Sequence, residues 1–254
     1  MNNKFLGIFN NKKPIMGMLH LKGDDPDVVV AKAYYEAVTM VKNGIDAVIV
    51  ENYFGNTEDV ERVLQFFQKI HADFIYGVNV LRDDKENFRV ATQYDVPFLQ
   101  IDSVSGHLEP EDDMKFGEFI SKCRNEYKGA VLGGVRFKYQ PYKSGRSLEE
   151  DLRIGMERCD AIAVTGEGTG QLTPVEKLRE FREIVGDDFP LIVAAGVTPE
   201  SFEKQCVYSD GVVVGSYLKD TYVDSGDVKA EHVRKFTEAI NGCWSRLDES
   251  NRNN

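Results

Sequence analysis

Leu191–Gly196 (LIVAAG) and Gly211–Lys219 (GVVVGSYLK) decide how this chain is read. Each holds a short apolar run that ends in glycine, and Thr198-Pro199-Glu200 between them is a helix-start signal. Glycine after a strand permits a sharp turn and leaves backbone N–H groups free to meet an anion. Two such corners in succession, near the end of a chain of 254 residues, match the phosphate site that a (β/α)8 barrel builds after strands 7 and 8.

The rest of the chain keeps the same rhythm. Apolar runs of strand length fall at 14–20, 47–52, 74–80, 98–103, 130–138, 161–165, 191–195 and 211–215. Runs this apolar suit strands buried on both faces. Helical patterns separate them: 28–43 before Gly44, 57–71, 84–94, 112–127, 147–158 with the Ser147/Glu150 capping box, 174–185 after Thr173 as N-cap, one opened by Thr198-Pro199, and 229–247. Strict alternation predicts an α/β fold, a single (β/α)8 TIM barrel, over residues 1–254. Within it, 1–13 form an N-terminal extension across the barrel bottom and 248–254 a polar, mobile tail.

Composition excludes several classes. A net charge of −11 supplies no basic stripe for nucleic acid. No run reaches the ~18 apolar residues of a membrane span. The opening MNNKFLGIFNNKK lacks the pattern of a secretory signal, so the expected location is cytoplasmic. Cys123, Cys159, Cys206 and Cys243 are too scattered for a zinc motif and are expected as free thiols.

Active sites of such barrels lie where the strands end. His20 ends strand 1, Glu51 and Asn52 strand 2, Asn79 strand 3, Asp102 strand 4, Arg136 and Lys138 strand 5, and Thr165 strand 6. His20, Glu51, Asp102 and Lys138 are the candidate catalytic residues; each has a structural alternative, since a buried histidine or an ion pair can serve packing alone. Arg136 and Lys138, two apart, are expected on one side of the strand. Asn52, Asn79, Arg136, Thr165, Gly166 and Thr169 are candidate substrate contacts, the last three from the glycine-rich loop 165–170 (TGEGTG). Gly196, Val197, Gly215 and Ser216 are the candidate phosphate site. The basic loop 141–146 (PYKSGR) reads as a lid or as a plain surface loop, and His107 as a residue within reach of the rim.

These stretches carry a resemblance. PIMGMLHL, GIDAVIVEN, GVNVLRDD, AIAVTGEGTG, VAAGVTPESF and SDGVVVGSYLK resemble, in order and spacing from about Pro14 to Lys219, the blocks of the BtpA/SgcQ family. The resemblance implies a (β/α)8 barrel, with one member associated with photosystem I biogenesis and another with a sugar-uptake gene cluster. Two departures fall on the ligand rim. LKGDDPD (21–27) stands where family members carry a proline-rich loop, and Lys138-Tyr139 where they carry Lys-His.

Three functions follow as expectations. The first is an isomerase, lyase or hydrolase acting on a phosphorylated sugar or nucleotide-type metabolite. Asp102 or Glu51 is then the base, and Lys138 with Arg136 steadies an oxyanion or acts as the acid, with a Schiff base at Lys138 left open. The second adds a divalent metal on some of His20, Glu51 and Asp102. The third is a non-catalytic assembly or stabilising factor. Self-association is left open.

Overall fold

The computed structural model describes residues 3–252 and closes eight parallel strands into a barrel, each strand paired with the next and β8 with β1. The strands are β1 (Ile15–His20), β2 (Ala47–Glu51), β3 (Ile75–Asn79), β4 (Phe98–Ser105), β5 (Ala130–Val135), β6 (Ala161–Val164), β7 (Leu191–Ala194) and β8 (Gly211–Val214). The helices are α1 (Lys4–Gly7), α2 (Pro26–Lys42), α3 (Thr57–Lys69), α4 (Asp84–Gln93), α5 (Pro110–Glu126), α6 (Leu148–Arg158), α7 (Val175–Val185), α8 (Pro199–Gln205) and α9 (Ala230–Arg252).

Side chains alternate between two cores because strand pleating has a period of two. Met16, Met18, Ile49, Phe98, Leu132, Ala163, Ile192 and Val213 fill the barrel interior. Their neighbours, among them Ile15, Leu19, Val48, Val50 and Leu99, pack outward under the helices. At the strand N-terminal end the interior is closed by Phe5 and Phe9, which meet the Phe98 ring at 5.7 and 6.1 Å between centroids. Asn3 and Lys4 hold that segment through the carbonyls of Asp160 and Gly129.

The helix starts follow their caps. Ser147 with Glu150 and Thr198 with Ser201 both close capping boxes. Asp25 caps α2, which therefore begins at Pro26, ahead of the expected start. Three sequence expectations need correction. Strand 5 ends at Val135, because Arg136 adopts a left-handed φ of 47° and leaves the pleat. Thr173 does not cap α7; Pro174 occupies that position, and the Thr173 hydroxyl donates to the Ala194 and Ala195 carbonyls at 2.7 and 3.2 Å. The segment expected as a tail from 248 is helical through Arg252, while 253–254, like Met1 and Asn2, lie outside the described residues.

Candidate active site at the barrel mouth

Interior parity carries four polar side chains to the strand C-terminal ends. His20 follows Met16 and Met18, Glu51 follows Ala47 and Ile49, Asn79 follows Gly77, and Asp102 follows Phe98 and Gln100. His20, Glu51 and Asp102 line a cavity of about 730 Å³, and Asn79 lies behind the two acids. His20 Nε2 lies 3.4 Å from Glu51 Oε2. Asn79 Nδ2 donates to Glu51 Oε1 at 2.9 Å and to Asp102 Oδ1 at 3.3 Å, so one amide bridges both acids.

Burial sets the charge states here. Glu51 is pushed up to about 8, first by burial and then by the Asp102 charge beside it. Burial and the Lys219 ammonium lower His20 to about 4. At neutral pH the pair is thus a neutral carboxyl facing a neutral imidazole. Burial also raises Asp102, against the opposing hydrogen bond from Asn79 and the charge of Lys138. Lys138 reaches the cavity from the loop after β5, where Nζ donates to Thr169 Oγ1 at 2.8 Å and its backbone N–H to Thr165 Oγ1 at 2.9 Å.

The strand 7 corner leaves backbone donors free. Ala195 and Gly196 take consecutive left-handed φ values of 68° and 63°. Among the described residues, the N–H groups of Gly196 and Val197 meet no protein acceptor. Such runs of free, turned N–H groups form anion concavities. The strand 8 corner differs. Gly215 and Ser216 line the cavity, but the Ser216 hydroxyl is bound to the Asp224 carboxylate. That carboxylate also accepts from the Tyr53 hydroxyl at 3.2 Å and stands 4.0 Å from His20 Nδ1.

His20, Glu51, Asp102, Lys138, Thr165, Thr169, Gly196, Val197, Gly215 and Ser216 therefore border one cavity. Four other expected contacts do not line it. Arg136 is turned away by its left-handed backbone; its Nε donates to Asp151 Oδ2 at 2.9 Å, and Phe137 takes the interior position instead. The expected shared side for Arg136 and Lys138 fails for that reason. Asn52 braces the next loop, accepting from the Leu81 N–H at 2.8 Å. Asn79 lies beneath the acids as their bridge. Gly166 packs on the backbone of Gln171 and Leu172, where a side chain would collide. His107 packs on Phe116, away from the rim. The 141–146 loop is pinned by Arg146 on Asp113 and Ser144 on Asp151, at 2.8 and 3.0 Å.

Among the described residues no group of three His, Cys, Asp or Glu side chains is placed to hold a metal ion. The His20, Glu51 and Asp102 ligand set is not assembled, because the Asn79 amide occupies the space between the two carboxylates.

Sequence reasoning missed Gln100, Tyr53 and Asp224. Gln100 carries the interior parity of Asp102, a signal that was readable. Tyr53 follows the end of β2 and stacks on His20 at 4.5 Å between ring centroids. Asp224 comes from the long β8–α9 connection, where no periodicity marks it.

The residues that form this mouth lie within the span 11–242 matched by the BtpA family model. The chain belongs to the BtpA family. It is 28% identical to an uncharacterized protein of Thermococcus kodakarensis, covering 89% of this chain and 95% of that one. It is 23% identical to the photosystem I biogenesis protein BtpA of Synechocystis, covering 91% and 89%. In structure this BtpA-family barrel is similar to 3-keto-L-gulonate-6-phosphate decarboxylase of Vibrio cholerae (TM-score 0.62, 14% identity, covering 92% and 98%). It is also similar to phosphoribosyl anthranilate isomerase of Thermotoga maritima (TM-score 0.57, 15% identity, covering 91% and 99%). At such identities the likeness concerns the fold. No helix among the described residues is long and apolar enough to cross a membrane.

Proposed function

We propose that this BtpA-family barrel is an enzyme that acts on a phosphorylated small molecule by acid–base catalysis at the strand C-terminal face. One observation carries the reading: two buried carboxyls bridged by one amide share a cavity with a lysine and with unoccupied backbone N–H donors. Glu51, holding its proton to about pH 8, is the general acid. That revises the expectation that Glu51 or Asp102 serves equally as base, because their shared amide bridge and burial favour one proton on the pair. Asp102 is the base, and its Oδ2 accepts no hydrogen bond from the described residues. Lys138, positioned by Thr169, stabilises the oxyanion that develops when the base removes a proton. Gly196 and Val197 anchor the phosphate through backbone N–H groups.

Asp224 shifts that anchor toward strand 7, since its carboxylate repels a dianion from Ser216. The names of the Vibrio and Thermotoga barrels, a decarboxylase of a sugar phosphate and an isomerase of a phosphoribosyl compound, support a phosphorylated ligand. The alternative of a non-catalytic assembly factor draws on the Synechocystis relative. It leaves the buried acids without a purpose, although holding them desolvated costs several kcal/mol.

A thermal-shift screen of phosphorylated metabolites, followed by turnover of each stabilising compound, tests the proposal, since a native-state ligand raises stability. Compounds that stabilise the chain and are converted, with conversion lost in Asp102→Asn, support it. Stabilisation without conversion of any of them, or conversion unchanged in Asp102→Asn, removes it.

A further inference from the structure

Lys138 and Arg82 are the lysine and arginine side chains that border the cavity. Lys138 donates to Thr169, whereas the Arg82 guanidinium has no hydrogen bond or ion pair among the described residues. The two aspartates that follow it are engaged elsewhere. Asp83 caps α4, accepting from the Glu86 N–H at 3.0 Å. Asp84 is pushed up to about 6 by burial and by the charges of Asp102 and Asp83, with no cation to relieve it. The backbone at Arg82 is held against its preference. Its φ of 69° is left-handed, and such strain persists where neighbouring contacts over-determine the turn. Those contacts are the Val80 N–H on Asn87 Oδ1 at 2.9 Å and the Leu81 N–H on Asn52 Oδ1 at 2.8 Å. Braced from α4 and from the end of β2, the turn keeps an exposed arginine at the cavity edge. In the closed ring of eight, β3 and β7 stand four strands apart, on opposite sides of the mouth. Arg82 follows β3, and the free N–H groups of Gly196 and Val197 follow β7. Asp102 of β4 and Lys138 after β5 come between them along the rim.

We infer that Arg82 is a specificity-determining residue that binds a second anionic group at the end of the ligand remote from its phosphate, so that the ligand is a phosphorylated carboxylic acid or a bisphosphate. This rests on the phosphate reading of the strand 7 corner. The ligand spans the mouth from β7 to β3, with its phosphate on Gly196 and Val197 and its reacting carbons beside Lys138 and Asp102. A planar guanidinium meets a carboxylate or a phosphate with two parallel N–H bonds, and an ionised acceptor makes each about twice as strong as a neutral one. A neutral hydroxyl or base carbonyl leaves the arginine charge unmatched.

The test is calorimetric titration of the full chain with inorganic phosphate, with uridine monophosphate and with matched pairs that differ in the second anion alone. The pairs are 3-phosphoglycerate with glycerol 3-phosphate, 6-phosphogluconate with glucitol 6-phosphate, and fructose 1,6-bisphosphate with fructose 6-phosphate. Arg82→Gly removes the cation and suits the left-handed turn, so the fold is kept; Arg82→Lys keeps the charge without the fork. In at least one pair the member with two anions should bind about tenfold or more tightly than its partner, the worth of a charge-assisted contact. Arg82→Gly should bring the two within about twofold and leave inorganic phosphate unchanged, and Arg82→Lys should keep part of the gain. A gain in the acid pairs identifies a carboxylate, and one in the fructose pair a second phosphate; both uphold the inference. Equal binding within every pair, or a gain that survives Arg82→Gly, overturns it and leaves the phosphate anchor standing where inorganic phosphate binds. Uridine monophosphate that binds through Arg82 more tightly than every compound with two anions also overturns it. No binding by any compound removes both.

Discussion

His20 Nε2 and Glu51 Oε2 lie 3.4 Å apart at the C-terminal ends of neighbouring strands, directly opposite in the β1–β2 register. Both residues are over nine-tenths buried, and burial drives both toward their uncharged forms. The pair is thus a store for one proton at the base of the cavity.

That proton gives stability a pH slope. Glu51 holds it to about pH 8 in the folded chain, against an ordinary value of 4.5, so folding takes up a proton between those limits and stability falls as pH rises. His20 acts in the opposite sense from about 4 to 6.5, where the unfolded chain binds the extra proton. The two effects offset each other below pH 6.5, and the Glu51 slope stands alone above it. Thermal unfolding should show wild type losing stability from pH 6.5 to 8, by at most about 1.4 kcal/mol per pH unit. Glu51→Gln should lack that loss. Parallel curves for the two proteins would refute the assigned protonation.

Catalysis should follow the same proton. With a converted substrate in hand, Glu51→Gln, Asp102→Asn and Lys138→Met should each lower kcat by ~10²-fold or more. Wild-type kcat should decline as pH passes about 8, where Glu51 ionises. Arg136→Met should leave KM for the phosphorylated substrate near wild type, because Arg136 is bound to Asp151 outside the cavity.

Gly196 should tolerate no side chain. Its φ of 63° is left-handed, and a Cβ would run into the Gln171 carbonyl. Gly196→Ala should cost about 1–3 kcal/mol in urea unfolding. It should also abolish stabilisation by inorganic phosphate, read as the shift in Tm.

Lys219 and Glu36 form a buried ion pair at 3.0 Å, and both side chains are almost wholly inaccessible. It joins the segment after β8 to α2, with the Val228 N–H on the other Glu36 oxygen at 3.2 Å. Lys219→Met should destabilise the fold by about 3–5 kcal/mol by leaving the carboxylate unpaired. Adding Glu36→Leu should recover much of that loss, as denaturant titrations of the single and double variants would show.

The barrel itself was legible because its signals are local. Every strand run coincides with an observed strand, and the parity of His20, Glu51, Asp102 and Thr165 with the interior residues two and four positions earlier is written in the spacing. Gln100 obeys the same parity but lies two residues before Asp102, below the strand end at which barrel chemistry is expected. Arg136 was misread for a different reason. Its parity is correct for a strand that continues, but the chain turns at that residue so that Phe137 can fill the interior.

Alternation of apolar runs and helix caps thus determined the closed barrel and the side to which each strand residue points, since both depend on periods within a few residues. Tertiary structure alone decided where β5 stops, which side chain bridges the two acids, and that Asp224 reaches from the β8–α9 connection to Ser216 and Tyr53. Those outcomes depend on contacts between residues far apart in the chain, where close packing and the pairing of buried charges, rather than local propensity, select the conformation.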